Sequence, residues 1–243
     1  VKTSDMMIGR LTLSTDPLYK YQWHLDNTGQ TNFTNNSGTT GADLNVDAAV
    51  VAGKTGSGIV IAIVDDGMEL AHEDLSDNVV ANGSWDYISS DLDPTPSWSG
   101  VSHGTMVASI AAAKGWNDIG IRGVAPNASL KAFNVTASGA SYNNTNEINA
   151  LGSSSLASDV SVFNMSYGTN TLGASLLPLK SSSVMSQIES GATTLRSGKG
   201  ASYVNSVGND YNKGATGSSN FSYCGGGSNA GTFKISCYDT IFD

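Results

Sequence analysis

Apolar and polar positions divide the chain into strands and helices that follow one another in turn. The segment GIVIAIVDDG (58–67) is a continuous apolar run closed by paired Asp and a Gly. Such a run suits a strand buried on both faces, as in a parallel sheet. SLKAFNV (129–135), DVSVFNMSYG (159–168) and SYVNSVGND (202–210) predict further strands. Between them, helices are predicted over 44–53, 104–115, 144–157 and 179–198, several of them closed by Gly. Residues 82–102 carry Gly, Pro, Ser and Asp and predict a loop, while 211–243 are Gly/Ser-rich and weakly patterned. Residues 1–40 are polar and irregular and predict an arm lying on a folded body formed by 41–243. Strands alternating with helices predict an α/β layer protein with a mostly parallel sheet. No internal repeat or interdomain linker interrupts it.

Composition narrows the picture. The 243 residues are long enough to bury a sizeable core. No stretch approaches the ~18–20 apolar residues of a membrane span. With 21 Asp plus Glu against 12 Lys plus Arg, net charge −9, the chain is a poor nucleic-acid binder. The surplus of small residues, 28 Gly and 35 Ser, suits tight backbone approaches in a loop-rich α/β protein. The chain starts at Val1 without a basic-then-apolar leader, which reads as processed or trimmed. Cys224 and Cys237 in an acidic, Lys-poor chain fit one local disulfide of an exported protein; two free thiols of a cytosolic one are the alternative.

The histidines are His24 in the arm, His72 after the first strand and His103 at the entrance of the small-residue helix. No H-E-x-x-H or Cys/His cluster supports a zinc hydrolase. Gly56 and Gly58 precede their strand, whereas a dinucleotide fingerprint needs them after it. What remains are polar residues at strand ends: Asp65 and Asp66 after the first strand, His103 opening a helix, and Asn209 after the fourth strand. In open parallel sheets ligands bind beyond the carboxyl ends of the strands. A carboxylate, an imidazole and a carboxamide converging there suit acyl transfer, as orienting acid, general base and oxyanion donor. From the residues alone, a strand-end Asp such as Asp65 or Asp66 also reads as a turn or cap residue, and His103 as a helix cap.

The motifs IVDDGME, SHGTMVASIAA and SVGND resemble the Asp, His and oxyanion-Asn motifs of the subtilisin-like serine proteases, and FNMSYG resembles their substrate-binding strand. DPLYKYQWHL (16–25), the double Asp of IVDDG, EDLSDN (73–78) and NGSWDY (82–87) look most like the kexin-like branch. The resemblance covers about residues 16 to 210 and implies a three-layer subtilisin-like α/β fold. It implies an endopeptidase in which Asp65 orients His103, His103 is general base and then general acid, and Asn209 is the oxyanion donor. Asp66, Ser166, Tyr167 and Gly168 would bind the substrate, with 166–168 presenting backbone groups to an extended peptide; core packing is the other reading of Tyr167.

The family's nucleophile follows Gly-Thr at the start of a helix. Here the Gly-Thr pairs led by Gly38, Gly104, Gly168 and Gly231 are followed by Thr40, Met106, Asn170 and Phe233. The expectation is a fold incomplete at its C-terminus, with the serine on a separate or missing segment. The alternative is an inactive homologue that binds peptides without cleaving them.

The resemblance also implies a Ca²⁺ site. Asp16 and Asp74 would give carboxylates, Asn117 a side-chain oxygen, and Lys114, Ile119 and Ile121 carbonyls from the loop KGWNDIGI (114–121). An all-oxygen set suits Ca²⁺ rather than a transition metal. Expected partners are a peptide or protein substrate, the serine-bearing segment, and a pro-segment or maturation chaperone; nucleic acid and membrane are not expected. Specificity for basic residues stays open, because residues 99–102 carry no charge where the kexin-like branch carries Asp.

Overall fold

The computed structural model describes residues 14–33, 37–97, 102–136, 143–167 and 180–206. The predicted strands form as β1 (Val60–Asp65), β3 (Ser129–Asn134), β4 (Val162–Met165) and β5 (Ser202–Asn205). A two-residue strand, β2 (Trp85–Asp86), lies within the stretch expected to be loop. Two residues carry no legible period; β2 exists because Trp85 and Asp86 pair with Phe133 and Asn134 of β3. The sheet order is β2-β3-β1-β4-β5, and every pairing is parallel. The chain builds out from β1 to one side and then crosses to β4 on the other. The β1/β4 boundary is therefore the switch point at which open α/β sheets bind ligands.

Helices follow as α1 (Asp47–Val51), α2 (His103–Ala112), α3 (Asn144–Ile148) and α4 (Ser182–Gly198). Ser102 caps α2 by accepting the Thr105 N–H at 3.3 Å, and Asn143 caps α3 by accepting the Thr145 N–H at 2.9 Å. The helix expected over 144–157 does not run through. After α3 the chain makes a wide turn over Asn149–Ser153 and a 3₁₀ turn over Ser155–Ala157. Gly152 breaks it with φ of 121°, a conformation that side chains other than glycine rarely adopt. At the far end of α4 the backbone leaves helical geometry from Leu195 onward, and Arg196 and Ser197 have φ of 55° and 59°.

Side chains of β1 alternate between two cores. Ile61 and Ile63 face α2, together with Met68, Leu75, Leu130 and five alanines, Ala108, Ala112, Ala113, Ala128 and Ala132. Ala62 and Val64 face α3 and α4, with Phe133, Leu151, Phe163, Val184, Ile188 and Tyr203. On that second face the rings of Phe163 and Tyr203 stack 4.7 Å apart and nearly parallel. The arm is tied to the body near Arg122. The Gln22 amide donates to the Arg122 carbonyl and accepts its N–H, both at 2.8 Å. The guanidinium of fully buried Arg122 lies 4.6 Å from the Tyr19 ring centre and 5.2 Å from that of Trp116. Among the described residues, no helix is long and apolar enough to cross a membrane.

Candidate active site

β1 delivers Asp65 to the carboxyl edge of the sheet, in register with Asn134 of β3. α2 enters from above with His103 as its first residue. The two meet: His103 Nδ1 lies 2.8 Å from Asp65 Oδ1. Asp65 is almost completely buried, whereas the His103 side chain is 51% exposed, so one ring edge faces the acid and the other faces solvent. With Nδ1 against a carboxylate, the neutral ring carries its proton on Nδ1 and leaves Nε2 free to accept one. Burial raises the Asp65 carboxyl above its ordinary range; the hydrogen bond and charge of His103, with the Asp66 N–H, pull it partly back.

Close approach is built into the backbone here. A Cβ on Gly104 would lie 2.0 Å from the Gly67 carbonyl oxygen and 3.0 Å from Asp65 Cβ, so only glycine lets α2 start this near β1. The helix N-terminus is capped by neighbours of the pair, not by the pair itself. The Asp66 carboxylate accepts the N–H groups of His103 (3.2 Å) and Gly104 (2.8 Å), and Ser102 accepts that of Thr105. The family resemblance placed Asp66 among substrate contacts, while a cap or turn role stayed open for a strand-end Asp; the structure gives Asp66 the cap. Asp65 Oδ2 and Asn134 Oδ1, on adjacent strands, are both buried with no donor among the described residues.

Ser166 and Tyr167 leave the end of β4, across the switch point from Asp65. The Asn164 amide donates to Ser166 Oγ at 2.9 Å. The Tyr167 hydroxyl donates to Glu147 Oε1 at 2.5 Å, and Lys180 Nζ donates to the same oxygen. Glu147 escaped the sequence reading: it is fully buried, but its partners come from two other segments of the chain. Asn209, Gly168, Cys224 and Cys237 lie outside the described residues.

The residues expected to hold Ca²⁺ also come together. Buried Asp16 accepts the N–H groups of Trp116 and Asn117, each at 3.0 Å. Buried Asp74 accepts the Asn117 amide at 3.0 Å and the Ile121 N–H at 2.9 Å. Lys114 and Ile119 belong to the same loop, where the Lys114 N–H donates to the Asp74 carbonyl and the Ile119 N–H to Asn117 Oδ1. Gly120 lets the loop close on Asp74: a Cβ there would lie 2.3 Å from Oδ2. Two buried carboxylates held only by neutral donors are the kind of oxygen chemistry a hard cation takes, although among the described residues no group of three or more His, Cys, Asp or Glu side chains gathers there.

The family model described as the Subtilase family matches residues 56–239. The chain belongs to this family. An extracellular serine protease of Aeromonas sobria is 38% identical to this subtilase over 224 residues, 89% of the chain and 35% of the relative. Neuroendocrine convertase 2 of Bos taurus is 45% identical over 114 residues, 45% of the chain and 17% of that protein. The crystal structure of the Aeromonas sobria serine protease superimposes with a TM-score of 0.75 at 37% identity, covering 82% of the chain and 33% of the solved one. A second solved structure, the same bacterium's protease in complex with the chaperone ORF2, gives a TM-score of 0.71 at 37% identity, over 79% of the chain and 32% of the solved one. The chain thus spans about a third of the length of the Aeromonas protease.

Proposed function

We propose that this subtilase supplies the acid, the base and the cleft strand of a secreted serine endopeptidase. The 2.8 Å contact between buried Asp65 and half-exposed His103, at the switch point of a parallel sheet, carries the reading. Asp65 fixes the ring with Nδ1 protonated and stabilises the imidazolium that forms. His103 Nε2 takes the proton of a serine hydroxyl and returns it to the leaving amine. Asn209 donates to the oxyanion, and residues 166–168 pair with an extended substrate as an added strand. Asp66 holds α2 in place and borders the substrate. Secretion is supported by the likeness to the extracellular Aeromonas protease, and a maturation chaperone by that protease's complex with ORF2. The kexin-like likeness rests on DPLYKYQWHL and the double Asp of IVDDG.

Asp16, Asp74 and Asn117, with the carbonyls of Lys114, Ile119 and Ile121, would hold Ca²⁺. The ion would neutralise the two buried carboxylates and tie the arm to the body. A Cys224–Cys237 disulfide completes the reading of an exported chain.

The test is labelling by an alkyl fluorophosphonate, applied to the full polypeptide that contains this chain. The unaltered protein is expected to label at serine. Asp65→Asn should lower the rate by about 10³–10⁴-fold, and His103→Ala by a comparable factor. Absence of labelling in the unaltered, folded protein would overturn the reading in favour of a peptide-binding module on the same fold.

A further inference from the structure

We propose that Lys180 occupies a cation-binding box made by Glu147 and Tyr167, and so closes this part of the cleft wall to basic substrate side chains. Three separate segments build the box: Glu147 from α3, Tyr167 just past β4, and Lys180 just before α4. Glu147 is fully buried, and its Oε1 receives both the Tyr167 hydroxyl and the Lys180 ammonium. The same ammonium lies 4.6 Å from the centre of the Tyr167 ring. A carboxylate on one side and an aromatic face on the other are the two elements that recognise an alkylammonium or guanidinium.

The box sits beside the reading frame of a bound peptide, because Tyr167 follows directly on Ser166. This inference rests on residues 166–168 being the substrate strand. A lysine or arginine of a substrate reaching Tyr167 would find its counter-charge already taken. Lys180 is tethered, so it competes at an effective concentration in the millimolar range or above. Displacing it would leave one of two cations without the buried carboxylate. Glu147 in turn needs Lys180, since a buried carboxylate stripped of its partner is strongly destabilising. Acidity near the cleft therefore does not translate into a basic preference at this subsite: the acid is spoken for by the chain itself.

Two measurements on the full polypeptide test this. The first compares hydrolysis of matched peptides carrying Arg or norleucine at each position before the scissile bond. The unaltered protein should show no Arg preference at the position facing Tyr167. Lys180→Ala should gain about a tenfold Arg preference there, and Glu147→Gln/Lys180→Ala should lose it. The second follows thermal unfolding with n-propylammonium chloride, using 1-propanol plus sodium chloride as the neutral control. Only Lys180→Ala should be stabilised, by the ammonium and not by the alcohol. If Lys180→Ala folds only when n-propylammonium is present, the box is supported, and Lys180→Met supplies the peptide comparison. An unchanged Arg-to-norleucine ratio, or no stabilisation of a folded Lys180→Ala, overturns the inference. If the unaltered protein hydrolyses no peptide, the endopeptidase reading and the cleft-blocking role fall together. The thermal shift then still decides whether the box binds cations.

Discussion

The two faces of the sheet solve different problems. Toward α2 half of the ten buried apolar residues are alanines, including Ala108 and Ala112 of α2 itself, with Gly104 at the point of closest approach. Toward α3 and α4 most buried side chains are large, with Phe163 stacked on Tyr203 and three alanines among fourteen residues. The alanine face removes little apolar area per residue, so it is the weaker source of stability. What it provides is distance: small side chains let α2 lie close, and that sets where His103 meets Asp65. The aromatic face supplies burial and also hosts charged groups. Lys131 donates there to the Leu156 carbonyl (2.7 Å) and to Asp159 (2.6 Å), and Glu147 receives Lys180. One face is tuned for position and the other for burial.

The comparison can be broken in order of expected effect. Phe163→Ala should destabilise the fold by about 3–5 kcal/mol in urea unfolding. The His103 Nδ1–H resonance should survive in the folded fraction, because the aromatic face does not set the Asp65 contact. Ala108→Leu should cost less, about 1–3 kcal/mol, yet perturb or abolish that resonance by lifting α2. If the resonance is lost in the first variant and kept in the second, the division of labour is reversed. Asp66→Ala removes the acceptor for the His103 and Gly104 N–H groups, and should cost about 1–2 kcal/mol, read by the same unfolding curve.

The smallest effect concerns the arm. Burial lowers the His24 pKa, and its Nε2 is buried without a partner among the described residues. The unfolded chain therefore takes up this proton at a higher pH than the folded one. The contribution of His24 is fully present above the unfolded value, about 6.5, and falls as pH drops below it until the folded value is passed. Melting temperatures measured from neutral to mildly acidic pH should fall less steeply for His24→Gln than for the unaltered protein. Parallel curves would show that His24 does not contribute.

Much of the sheet was legible because β1 is buried on both faces, and its apolar run records that directly. β2 was not, since its two residues are strand only by pairing with Phe133 and Asn134. The helix expected over 144–157 failed at Gly152, whose turn is set by packing against Leu195 and Gln187 of α4, far along the chain. At the site, Asp65 and His103 stood out through their motifs, while their residue types alone left a capping role open. The structure separates the two: Ser102 and Asp66 cap α2, and the His103 ring turns to Asp65. Glu147 and Lys180 were out of reach because only tertiary folding brings α3 and the start of α4 to the same tyrosine.

The clasp around Arg122 has a consequence in time. Asp16 holds the N–H groups of Trp116 and Asn117, Leu18 donates to the Gly120 carbonyl, and Tyr19 and Gln22 meet Arg122. These contacts grip one short loop from several points, so peeling the arm away requires most of them to fail together. Fastenings that break only during unfolding lengthen the half-life of the folded state more than they speed its formation. The clasp therefore acts on how rarely the fold opens.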